Sequence, residues 1–141
     1  MTPQRLQHER AILERYFPNK YKFENLNSSN EFLDVGVKTQ SGKVYRLNIR
    51  LRPDYPNSLP EVYIVFPLPL RKHDGSILNG VSHEFHTLGN DGDKIKICHY
   101  IPEKWNPNHS LYRIILKGRI WLEAYEGHLE TGKPIKAYVN G

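Results

Sequence analysis

The sequence predicts an α+β fold, and three observations carry the prediction. Helical patterns stand near the two ends of the chain, before Pro18 and from Leu111 to about Leu129. Between them lie short apolar runs that alternate inward and outward positions, as half-buried antiparallel strands do. A proline-dense segment, Pro53 to Pro60, and a glycine-punctuated stretch, Leu70 to Asp93, interrupt those runs. The expected order is helix, four-stranded antiparallel meander, irregular site-like loop, helix.

Thr2-Pro3 opens the first helix, with the threonine as N-cap and the proline at the first helical position. Leu6, Leu13, Tyr16 and Phe17, with Ala11 and Ile12 at the margin, form a loose apolar stripe that Pro18 ends. Strands are expected over Phe23 to Leu26, Phe32 to Lys38 and Val44 to Leu51, with a hairpin turn at Ser41-Gly42. In the third run Tyr45, Leu47, Ile49 and Leu51 share one face. The three prolines from Pro53 to Pro60 cannot sit in a central strand. Val62 to Phe66 fits a fourth strand, stopped by Pro67 and Pro69. From Leu70 to Asp93 no periodicity persists, and a loop of that length in a compact domain is usually functional. In the last helix Leu111, Ile114, Ile115, Gly118, Trp121, Leu122 and Tyr125 recur at three- and four-residue steps, with Ser110 as the N-cap candidate. Gly118 on that stripe predicts close approach of the sheet. Thr131-Gly132-Lys133-Pro134 ends the helix, and a short tail is expected from about residue 132. Residues 1–141 read as one domain.

Composition narrows the function classes. A chain of 141 residues, 38% hydrophobic and 25% charged, is the size and make-up of one water-soluble domain. No apolar run is long enough to span a bilayer, and Met1 to Arg10 is polar. One cysteine makes no internal disulfide, which fits a reducing cytoplasm. The formal charge of +5 is scattered, with no cluster longer than Arg71-Lys72, so a direct nucleic-acid surface is not expected. An acidic protein partner suits that charge better.

Cys98 is the foremost functional candidate. In the run Ile95 to Ile101 the isoleucines share one parity, while Cys98 falls with Lys96 and Tyr100 on the other. A packing cysteine belongs with the isoleucines. A thiolate could attack an activated carboxyl and later release the acyl group. Lys94, Lys96, His86 and His99 are the charges expected to lower its pKa. His86 and Asn90 are rival candidates for stabilising an oxyanion or supporting the loop. His83, His86, Cys98 and His99 invite a zinc test, but neither Cys-x-x-Cys nor His-Glu-x-x-His spacing is present, so no metal is expected. Trp105, Trp121, Leu122 and Tyr125 read as core and scaffold, as do Tyr55, Pro56 and Pro60. Without a phosphate-binding glycine loop no cofactor is expected, and ATP chemistry would come from a partner.

The ordered motifs resemble the ubiquitin-conjugating enzyme family. Tyr55-Pro56 and Pro60 match its proline segment. Ile97-Cys98, then Trp105-Asn106-Pro107 and Ser110-Leu111, are similar to its Ile-Cys, Trp-Ser-Pro and Thr-Leu signature over roughly residues 3 to 130. The family's His-Pro-Asn motif is not present as such. Asn90 stands at its eight-residue offset before Cys98, preceded by Leu88 and Gly89, and His86 lies further upstream. The two last helices of eukaryotic members have no counterpart in this sequence. Trp121-Leu122, Tyr125-Glu126 and Thr131-Gly132 look like the bacterial branch, some of whose members sit in CBASS antiphage operons beside a cGAS-like nucleotidyltransferase. The resemblance implies a last helix crossing the sheet and thioester transfer through Cys98. It implies as partners a protein with a C-terminal glycine-type carboxylate, such as that nucleotidyltransferase, and an activating enzyme. The rival readings are a catalytically silent scaffold of the same fold and a metal hydrolase using the histidines.

Overall fold

The computed structural model describes residues 1–139, in which two helices lie over one open antiparallel sheet. The first helix, α1 (Pro3–Tyr16), starts as expected: Thr2 Oγ1 accepts the Arg5 N–H at 3.1 Å. The meander follows as β1 (Tyr21–Glu24), β2 (Phe32–Lys38), β3 (Val44–Arg50) and β4 (Glu61–Phe66). Each strand pairs antiparallel with the one before it.

The sheet does not stop at four strands. The stretch expected to be irregular contributes β5 (Val81–Ser82) and β6 (Thr87–Asp91), and β7 (Lys94–Ile97) follows. The spatial order is β1-β2-β3-β4-β7-β6-β5, with β7 beside β4. Hydrophobic alternation fails over β6 because Thr87 is its one buried residue, and the register shifts beside Gly89. The missed signal was Asp91-Gly92, where Gly92 takes φ +59° in the two-residue loop between β6 and β7.

One sheet face is buried. Leu33, Val35, Tyr45, Leu47, Ile49, Val62, Ile64, Ile95 and Ile97 meet the stripe of α2 (Leu111–Thr131) formed by Leu111, Ile114, Ile115, Trp121, Leu122 and Tyr125. Gly118 sits where the helix comes nearest, since a Cβ there would stand 2.9 Å from Leu47 Cδ1 and 3.9 Å from Val62 Cγ1. The opposite face is polar, with Arg46 paired to Asp34 at 2.8 Å, Lys96 to Glu61 at 2.5 Å, and Arg50 stacked on Tyr63.

Two expectations about α2 need correction. Ser110 occupies its N-cap but makes no side-chain cap bond. The cap comes from α1: fully buried Glu9 accepts the Leu111 N–H at 3.1 Å, binds the Tyr55 hydroxyl, and is paired with Arg5 at 3.1 Å. The segment after Gly132 is not a free tail either. Residues Ile135–Ala137 form a 3₁₀ turn, and Ile135 is fully buried. A single apolar residue in a polar run carries no periodic signal, which is why it was missed. The last two residues of the expected tail, Asn140 and Gly141, lie outside the described residues.

Candidate active site

Cys98 follows directly on β7, and its surroundings are built from three places in the chain. Its N–H donates to the His86 carbonyl at 2.8 Å, one step beyond the Thr87–Ile97 pair. The turn before β6 carries His86 with φ +50°, a left-handed conformation uncommon for a side-chain-bearing residue. That turn is fixed by Trp121 of α2, whose Nε1 donates to the Phe85 carbonyl at 3.0 Å, and by Ser82 Oγ, which accepts the Phe85 N–H at 3.2 Å. Trp121 therefore packs in the core, as expected, and also positions the loop beside the cysteine.

The result is a cleft of about 290 Å³ whose walls include His86, Cys98, His99, Lys117, Trp121 and Tyr138. Lys117 also lies 5.7 Å over the Tyr100 ring. Tyr100 is held in turn by His109, whose Nδ1 is 2.9 Å from its hydroxyl, and by an edge-on contact with Trp105. Trp105 Nε1 donates to the Pro56 carbonyl at 2.8 Å, so the Tyr-Pro segment and the Trp-Asn-Pro turn, far apart in sequence, are joined.

The alternation expected around Cys98 is kept only in part. Ile95 and Ile97 are buried as expected, but the strand ends at Ile97. Beyond it Tyr100 is buried and Ile101 half-buried, the reverse of continued alternation. Cys98 itself is half-buried, between a core residue and an open thiol.

The expected lowering of the thiol pKa is overturned. Burial pushes the Cys98 thiol up. None of the four expected cations reaches it with a charge. Lys96 is taken by Glu61 on the outer sheet face. Lys94 borders a different hollow, with Arg50 and Glu61. His99 is pushed by burial down to about 4, so it is neutral at physiological pH. His86 is also lowered, first by burial and then by the neighbouring His83. The cleft thus holds a protonated thiol beside neutral imidazoles. His86 shares the cleft with the thiol. The ring of His99 has its Nε2 buried with no hydrogen-bond partner.

Asn90 is not brought to the cysteine. It stands on β6 opposite Ile95, where its Oδ1 accepts the Gly80 N–H at 3.0 Å and its Nδ2 donates to the Gly92 carbonyl at 2.9 Å. Both ends of the amide hold the hairpin. The rings of His83 and His86 stack 5.9 Å apart, and among the described residues no group of three or more His, Cys, Asp or Glu could hold a metal ion.

The hollow of about 430 Å³ beside Lys94 is roomier, but its Arg50 is paired with Asp91 and its Glu61 with Lys96. No cysteine or histidine lines it. Sequence reasoning missed Lys117, Tyr138 and Val139 as cleft residues, because nothing in their spacing marks them. No helix among the described residues is long and apolar enough to cross a membrane. Comparison with family models, with curated proteins and with solved structures finds no match to this chain.

Proposed function

We propose that the chain is a bacterial protein with a ubiquitin-conjugating-enzyme-like fold that carries an acyl group as a thioester on Cys98. The observation that carries this reading is the position of the one cysteine, half-buried at a strand end and in a cleft walled by α2. The joined Tyr-Pro and Trp-Asn-Pro segments support it, because they carry the resemblance from separate parts of the chain.

In the first step the Cys98 sulfur bonds to the acyl carbon of a thioester on an activating protein. The donor's S–C bond breaks, and the Cys98 proton passes by way of His86 to the departing thiolate. In the second step an acceptor amine forms the N–C bond, Cys98 leaves, and its sulfur regains a proton. No net oxidation occurs, and the energy of activation is supplied by the partner. The acyl donor we favour is the C-terminal glycine of a cGAS-like nucleotidyltransferase, primed in this way for antiphage signalling in the cytoplasm.

The test is conjugation of that nucleotidyltransferase, together with phage protection, in cells carrying wild-type protein or Cys98→Ala. Both should be lost with the alanine. Unaltered conjugation and protection would refute the enzymatic reading. The raised thiol pKa favours a second reading, a catalytically silent scaffold. In that case Cys98→Ala would keep partner binding and protection while no adduct forms in either protein.

A further inference from the structure

The chain beyond α2 returns to the cysteine. Gly132 ends the helix at φ +78°, and residues 133–139 turn back along α2 with Ile135 buried beneath them. The Lys136 N–H donates to the Glu84 carbonyl at 2.9 Å, tying this segment to the turn that presents His86. Tyr138 lays its ring on Gly127, where an added Cβ would stand 3.1 Å from Tyr138 Cε1. Gly127 lies inside α2, where backbone geometry does not call for glycine. Its bare surface is what admits the ring. The Tyr138 hydroxyl lies 2.5 Å from Thr131 Oγ1 and donates to the Gly127 carbonyl at 3.3 Å. Held this way, Tyr138 and Val139 form part of the wall of the Cys98 cleft.

His99 also borders the cleft, and its Nε2 is buried without a hydrogen-bond partner.

We propose that residues 133–139 are a strap that sets the width of access to Cys98, with Tyr138 as the size-selecting residue. Its anchors are Gly127 of α2 and Glu84 of the turn that carries His86. A slender extended chain passes beneath it, and a bulky group is turned away. Tyr138 is suited to that part because it remains 40% exposed while fastened by its ring and its hydroxyl. The strap concerns access to the thiol, so it stands whether or not Cys98 carries a thioester.

Cys98 is the sole cysteine, so maleimide labelling of the full chain reports on it alone. The experiment compares N-ethylmaleimide with N-pyrenylmaleimide, which share a reacting group and differ in bulk, on wild type, Tyr138→Ala and Gly127→Ala. Tyr138→Ala should speed the pyrenyl reagent roughly tenfold while changing the ethyl reagent less than about twofold, because access and not thiol reactivity has changed. Gly127→Ala should shift the ratio in the same direction by crowding the ring, without lowering Tm, since alanine favours the helix. If both reagents speed up together, the segment merely stabilises the fold, and the proposal is overturned. An unchanged ratio in both variants overturns it equally.

Discussion

At the residue scale the chemistry rests on a thiol in an environment that restrains it. With Cys98 pushed up by burial, its thiolate fraction at neutral pH lies below that of a free cysteine. A raised pKa means that reactivity is gained only as pH climbs further. The rate of N-ethylmaleimide labelling should therefore rise with a midpoint above that of free cysteine in a pH series on the folded protein. A midpoint below it would mean that a cation reaches the sulfur. Such a resting state suits a carrier that reacts only once a partner has supplied both acyl group and orientation. The sequence made Cys98 conspicuous through the buried Ile95 and Ile97. It could not show that Lys96 is committed to Glu61 across the strand pair, nor that burial holds His99 neutral. Those are tertiary facts; with those charges withheld, burial of the thiol itself sets the direction of its pKa. Between the two loop candidates the geometry separates what spacing left open. His86 stands opposite Cys98, and Asn90 secures the hairpin turn.

At the scale of elements, the cleft depends on α2 being held at its N-terminus by α1. Glu9 is the keystone: it accepts the Leu111 N–H and pairs with Arg5, whose guanidinium also donates to the Pro107 carbonyl at 2.7 Å. Glu9→Ala would leave the first turn of α2 uncapped and Arg5 without its carboxylate. Loss of about 3 kcal/mol is expected in denaturant unfolding, the range for breaking a buried charged pair. A loss under about 1 kcal/mol would show that water or Ser110 replaces the cap. None of this was legible from the sequence, where Ser110 was the natural capping residue and Glu9 one charge on a polar helix. The helix itself was legible, because its stripe from Leu111 to Tyr125 keeps one period and buries one face. Gly118 was legible for the same reason: a glycine on an apolar stripe has few uses other than close packing.

For the molecule as a whole, the α+β class and the four-strand meander could be read because each strand has one buried face. The edge of the sheet could not. Leu88 and Val81 are exposed partners there, and the hairpin from Thr87 to Ile97 is recognisable mainly by its Asp-Gly turn. The returning segment around Ile135 was hidden because one buried residue among polar neighbours makes no pattern. Both unread parts border the cysteine, so the sequence pointed to Cys98 more clearly than to its setting. On the proposed reading, this setting serves a thioester on Cys98. The most direct measurement is the intact mass of the protein isolated from its host in acid, without added thiol, as wild type, Cys98→Ser and Cys98→Ala. The expected result is an acyl adduct on the wild type that dithiothreitol removes, a thiol-resistant ester on the serine variant, and no adduct on the alanine variant. The same adduct on Cys98→Ala, or none on any of the three, would contradict it.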